Sequence, residues 1–297
     1  MATRSIVTKS DLANNLILLA TVLAVILYIA RPSPEMRKGS DFAEIYAAAQ
    51  MVRHGRSHQL YDPETQYQFQ SRYLGRVGSY YLHAPFELVP YLLLTGLSLQ
   101  RAFLFLSLCN GVVLLITARV FSRHLLPDLN WRLLTGLFLL FVPVLLNFLQ
   151  GQDSLVLLLI LTLVLVEIRA KKEFSAGCLL ACGLFKFHLI LPLVFILGFS
   201  SIRKSKFFAG FVLMAVLLTI VSLMVCGWEG FSSYPRLLLQ LNDLPFAGVN
   251  PREMANFRGL FALLFSGHSF AALNGNRCQL YFAALDCNCW MVEGFGI

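Results

Sequence analysis

FFAGFVLMAVLLTIVSLMVCGW, residues 207–228, runs for 22 residues without a charged side chain. A helix needs about 20 apolar residues to cross the hydrocarbon core of a bilayer, so this stretch is long enough to span one. Working outward from it, further charge-free runs occupy residues 12–30, 102–118, 133–152 and 259–276. The mean hydropathy is +0.68. With 57% hydrophobic and only 13% charged residues, the composition excludes an ordinary soluble domain. The chain reads as all-α, a polytopic helical membrane protein.

The run at 12–30 exceeds the roughly 7–15 apolar residues of a signal peptide. Arg31-Pro32 follows it where a small-residue cleavage site would stand, so it reads as a retained span. Basic residues cluster at Arg4/Lys9, Arg119/Arg123/Arg132, Arg169/Lys171/Lys172 and Arg203/Lys204/Lys206, between the apolar runs. That is the pattern of cytoplasmic loops, and it accounts for the net charge of +8 without a nucleic-acid-binding domain. If all four clusters are cytoplasmic, the crossings between them are even in number. Residues 133–149 then go out and 154–166 return, turning at Gln150-Gly151-Gln152-Asp153. Residues 174–200 form two short legs with a turn near Phe185-Lys186-Phe187-His188. The stretch 84–100, interrupted by Pro85, Glu87 and Pro90, reads as an interfacial or re-entrant helix. The long loop 31–83 and both polar turns then face the same, outer side.

Within that loop, Gly39-Ser40-Asp41-Phe42 heads an amphipathic helix. Ser40 is placed to cap it, with Asp41 and Glu44 in the first turn, where negative charge suits the helix dipole. Phe42, Ile45, Tyr46, Ala49 and Val52 follow helical spacing, and Gly55 fits a stop. Asp62-Pro63 opens a second helix ending near Gly75. Tyr61, Tyr67, Tyr73, Tyr80 and Tyr81 suit either the membrane interface or stacking against a sugar or lipid headgroup. Asp41 also reads two ways: a carboxylate satisfying backbone N–H groups, or a base that takes a proton from a substrate arriving from water.

Of the seven cysteines, Cys109, Cys178, Cys182 and Cys226 lie in apolar runs as small hydrophobes. No Asp-x-Asp pair or histidine cluster has metal-ligand spacing, so nothing in the sequence demands a metal or other cofactor. Residues 1–273 read as one transmembrane domain. Residues 274–297, with Cys278, Cys287 and Cys289, show no span periodicity and read as an atypical tail, from truncation or a shifted reading frame.

The order of several short pieces resembles glycosyltransferase family 87. They are Ser40-Asp41-Phe42 with Tyr46 and Ala49, Gly55, Leu60-Tyr61-Asp62-Pro63, and Tyr81 with Ala84-Pro85-Phe86 and Pro90. Then come Gly151-Gln152 opening a span, Ala176-Gly177 leading to Phe185-Lys186, and Asn256 with Gly259, over roughly residues 12–272. Phe187 stands where the family usually has proline after the lysine. The resemblance implies a GT-C-like fold with a long helical first extracytoplasmic loop, in the plasma (inner) membrane. It implies inverting transfer of a hexose, mannose above all, from a polyprenyl-phosphate-sugar co-substrate to an extracytoplasmic glycan or glycolipid acceptor.

Asp41 matches the family's loop aspartate and is assigned as general base, with Glu44 as the alternative one turn away. Lys186 is the first choice for the donor phosphate, because an ionisable residue inside an apolar segment points to function. Its bland alternative is snorkelling to the interface. His188, Gln152, Tyr46, Tyr81, His83 and Arg258 complete the expected substrate contacts. Two other classes compete: a polyprenyl-lipid flippase or transporter, which predicts inverted repeats that the chain does not display, and an inactive membrane fragment.

Overall fold

The computed structural model describes residues 15, 19, 40–75, 80–200 and 204–240. All fall in the first of two compact units, 1–247. The spans expected at 12–30 and 259–276, the tail, Arg258 and the basic clusters at Arg4/Lys9 and Arg203 lie outside the described residues. Among those described, every regular element is a helix. The longer ones are α1 (Asp41–Arg53), α2 (Pro63–Leu74), α3 (Leu88–Leu92), α4 (Leu99–His124), α5 (Trp131–Leu140), α6 (Val142–Gln150), α7 (Ser154–Arg169), α8 (Glu173–Cys182), α9 (Phe187–Ser200) and α10 (Lys204–Gln240).

By length and composition alone, three stretches are long and apolar enough to cross a membrane: Leu99–His124, Glu173–Phe199 and Ser205–Leu239. The pair α5 and α6 makes up to four, bent by 71° at its junction. The straight outward span expected at 133–149 is therefore broken. Phe141 is extended (φ −78°, ψ 115°), and Pro143 sits in the first turn of α6, where its missing N–H costs nothing.

The stretch Glu173–Phe199 folds back on itself. Gly177 abuts Phe207, while Gly198 meets the ring of Phe208, so two residues 21 positions apart touch neighbouring residues of α10. A straight helix would hold them about 31 Å apart. The reversal occurs at the tight turn Gly183–Lys186, where a β-carbon on Gly183 would collide with Ile190. This is the expected pair of short legs, with the turn two residues earlier. Gly177 and Gly210 let the backbones of α8 and α10 come together, since a β-carbon on either would lie 2.0–2.1 Å from a carbonyl oxygen of the other helix.

The outer-loop helices form where the capping residues predict. Asp62 accepts from the backbone N–H of Thr65 at 2.9 Å, Pro63 opens α2, and Gly75 closes it in the left-handed region. The expectation of an amphipathic α1 is corrected: Phe42, Ala43, Ile45, Ala47, Ala48, Ala49 and Met51 are all buried, on every side of the helix. It packs into a core with Leu60, Tyr61, Tyr81, Leu88, Tyr91 and Phe103. The stretch 84–100 breaks into short pieces at Pro85–Glu87, Leu88–Leu92 and Leu93–Gly96, none long enough to span. Beyond Gly227 (φ 69°, ψ 177°), the end of α10 lies on the loop region. Tyr234 donates to the Leu82 carbonyl at 3.2 Å, and Gly230 faces the Ser57 carbonyl.

Candidate active site

Asp41 opens α1, and what holds its carboxylate comes from 111 residues further along. Gln152 Nε2 donates to Asp41 Oδ2, while Ser154 Oγ donates to Gln152 Oε1 at 3.3 Å and so orients the amide. Three local features put Gln152 there. Gly151 is left-handed (φ 64°), and a β-carbon on it would sit 2.7 Å from Phe42 Cβ and 3.0 Å from the Phe103 ring. Glycine is thus required twice at this position, for conformation and for contact. The Gln152 N–H donates to the Asn147 carbonyl at 3.0 Å, closing α6. Asn110 Nδ2 on α4 donates to the Gln152 carbonyl at 2.8 Å, tying the turn to the long span.

The next residue carries the second half of the site. Asp153 Oδ1 lies 3.1 Å from Lys186 Nζ, with side chains 9% and 15% exposed. A buried ion pair of this kind offsets two large desolvation costs, and each charge depends on the other. Lys186 is thus held inward at the hairpin turn, and the snorkelling alternative does not describe it. His188, two residues on and exposed, lies within electrostatic reach of Lys186 and His83.

His83 and Glu87 form a second acid–base pair, with Nδ1 2.9 Å from Oε2. The two pairs interact: His83 feels Asp153 and Lys186, and Glu87 feels Asp153. Burial pushes the Glu87 carboxyl up to about 7, against the downward pull of His83, and Asp153 adds to the rise. Burial lowers the basicity of His83, but the Glu87 carboxylate with Asp153 more than offsets it, so its pKa stands above the ordinary histidine value. Tyr81 stacks on the His83 ring at 5.6 Å and spends its hydroxyl on the Ala84 carbonyl.

Of the expected residues, Gln152 meets Asp41, and Lys186, His83 and His188 lie within electrostatic reach of one another, joined to the first pair through Asp153 next to Gln152. Glu44 is partly exposed on the same helix, one turn from Asp41. Tyr46 is not brought to the cluster. It is 8% exposed, donates to the Leu97 carbonyl at 2.7 Å and accepts from Gln50, which is a packing role. Tyr81 likewise supports His83 from a buried position and presents no free hydroxyl. Tyr61 and Tyr80 are also buried, leaving Tyr67 and Tyr73 exposed. The charged residues passed over in the sequence are Asp153 and Glu87. Glu87 carried a usable signal, being an acid inside an apolar stretch; Asp153 looked like an ordinary turn residue. Among the described residues no group of three or more His, Cys, Asp or Glu side chains is arranged to hold a metal ion.

Chemically, the arrangement offers a carboxylate fixed by the Gln152 amide and, through the adjacent Asp153, a lysine held by a buried acid. It can remove a proton and stabilise a departing anion. The family model described as Glycosyltransferase family 87 matches residues 81–292, which takes in His83, Glu87, Gln152, Asp153, Lys186 and His188. No curated protein and no solved structure matches the chain.

Proposed function

The chain belongs to glycosyltransferase family 87 and is a membrane glycosyltransferase; we propose that it moves a hexose, mannose, from a polyprenyl-phosphate donor to an acceptor hydroxyl. The reaction would run by a GT-C-type inverting displacement on the extracytoplasmic face of the plasma membrane. The observation that supports this reading is the tie between base and cation. Asp41 is held by Gln152, and Asp153, the next residue, holds Lys186.

In the proposed step the acceptor oxygen attacks the anomeric carbon from the face opposite the phosphate. Its proton passes to Asp41 as the new C–O bond forms. The bond from the anomeric carbon to the phosphate oxygen breaks, and polyprenyl phosphate leaves with the electron pair. Lys186 and protonated His83 supply positive charge for that leaving group, with His188 at the edge. Asp153 and Glu87 hold the two cations in place. The acceptor is a glycan or glycolipid.

Membranes carrying wild type or Asp41→Asn, incubated with radiolabelled polyprenyl-phosphate sugars, test this. Label moving to an acceptor in wild type and not in an equally expressed variant supports the reading. Equal transfer by both removes Asp41 from the chemistry. Intact donor crossing vesicle membranes with no transfer would indicate a flippase instead.

A further inference from the structure

A cavity of about 320 Å³ opens between α4, the broken segment around α3, and the start of α7. Phe86, Leu94, Phe105, Leu106, Val113 and Phe185 make most of its wall. Its carboxylate and amide groups are Glu87, Asp153 and Asn110, Tyr91 and Cys109 add a hydroxyl and a thiol, and no lysine, arginine or histidine lines it. One of these is a buried polar side chain with unused capacity. Asn110 is 1% exposed and its Oδ1 has no hydrogen bond among the described residues, whereas Glu87, 5% exposed, is already engaged by His83. Buried acceptors left without donors are costly, so such groups in a cavity call for a ligand that brings donors.

We propose that this cavity binds the acceptor: a neutral lipid whose apolar chain fills the Phe/Leu/Val wall and whose hydroxyl group donates to Asn110 Oδ1. The inference rests on the glycosyltransferase reading and names the class of its second substrate. Charge decides between the two lipids that such an enzyme would handle. A phosphate-bearing donor gains nothing from a lining of carboxylates and an amide oxygen, and its place is with Lys186 and His83, which do not line the cavity. A hydroxyl-bearing lipid gains the unpartnered Asn110 acceptor. Position agrees, because the amide of Asn110 that faces the cavity also holds the Gln152 turn, which in turn holds Asp41.

Two measurements test the proposal. In the first, transfer is measured to alkyl glycosides with chains of one to eight carbons in wild type and in Val113→Trp, which fills the cavity from α4. Burial of methylenes predicts that acceptor KM falls at least roughly 10-fold from methyl to octyl in wild type. This gain should vanish in Val113→Trp while donor KM is unchanged. A shift in donor KM instead would assign the cavity to the donor's chain and overturn the proposal, as would an unchanged acceptor chain-length dependence. The second measurement needs no catalysis. Cys109 lines the cavity, so in a chain whose other cysteines are replaced, octyl glycoside should slow its modification by a maleimide. A methyl-capped ether of equal length should protect about 10-fold less well, from loss of the hydroxyl contact. Protection without any transfer would keep the cavity assignment and sink the glycosyl-transfer reading. Equal protection by both lipids, or by neither, would refute hydroxyl recognition.

Discussion

Lys186 and Asp153 illustrate how a residue's surroundings change what its substitution reports. An isolated lysine near an interface would tolerate methionine with little effect on folding. Here Lys186→Met strands Asp153, which is 7% exposed. The expected cost is about 3–5 kcal/mol, in addition to any loss of donor binding. Adding Asp153→Leu removes the stranded charge and should restore most of that stability without restoring activity. Thermal unfolding of the two single variants and the pair in detergent checks this, and additive losses would show that the ion pair contributes no coupling. Asp41→Asn behaves differently, because the Gln152 amide can flip to accept from the new side chain. Stability should change by no more than about 1 kcal/mol, while loss of the base slows transfer roughly 100- to 10,000-fold. A well-folded variant with near-normal turnover would return Asp41 to a capping role and shift attention to Glu44.

The helices themselves were mostly legible in the sequence, for local reasons. Asp62-Pro63 and Gly75 bound α2, and the apolar run 102–118 lies inside α4. The hairpin at 173–200 was legible from length and charge parity combined. What local pattern did not reveal was the 71° bend after Leu140, because a straight helix and a broken one share the same apolar composition around Pro143. The all-round burial of α1 was equally hidden. Its alanines read as one side of an amphipathic helix, but they are small enough to admit neighbours on every side. The turn at Gly151 joins these elements into a site, and Gly151→Ala tests that function. The new β-carbon meets Phe42 and the residue must hold a positive φ, so the turn should move and draw Gln152 off Asp41. The expected result is a loss of more than about 1 kcal/mol in stability together with a large fall in transfer. Phe103→Ala in the Gly151→Ala background removes the 3.0 Å contact with that ring, and partly recovered activity would locate the defect there. If Gly151→Ala alone keeps full activity, the turn does not position the base.

Across the whole molecule, the site depends on contacts between residues far apart in sequence. Asp41 and Gln152 are separated by 111 positions, and no local motif pairs them. Charge parity predicts that the polar turns share one face, yet the partners of each charge were not legible, because a buried acid such as Asp153 or Glu87 looks like any turn or helix residue until its neighbour is known. The four-charge cluster should leave a signature in global stability. Glu87 stands at about 7 in the folded chain against an ordinary value of 4.5, so folding favours its protonated form. That contribution is fully present below pH 4.5 and is lost as pH rises through 7. His83 is raised as well, so its contribution is present below 6.5 and is also lost on the alkaline side. Both groups make the protein less stable as pH climbs from about 5 to 8, with Glu87 contributing on the order of 3 kcal/mol. Thermal midpoints measured in detergent between pH 4.5 and 8 should therefore fall in wild type and fall distinctly less in Glu87→Gln, which carries no titrating proton. Parallel pH profiles for the two proteins would mean that Glu87 titrates at its ordinary value and that its burial is relieved in the native membrane protein.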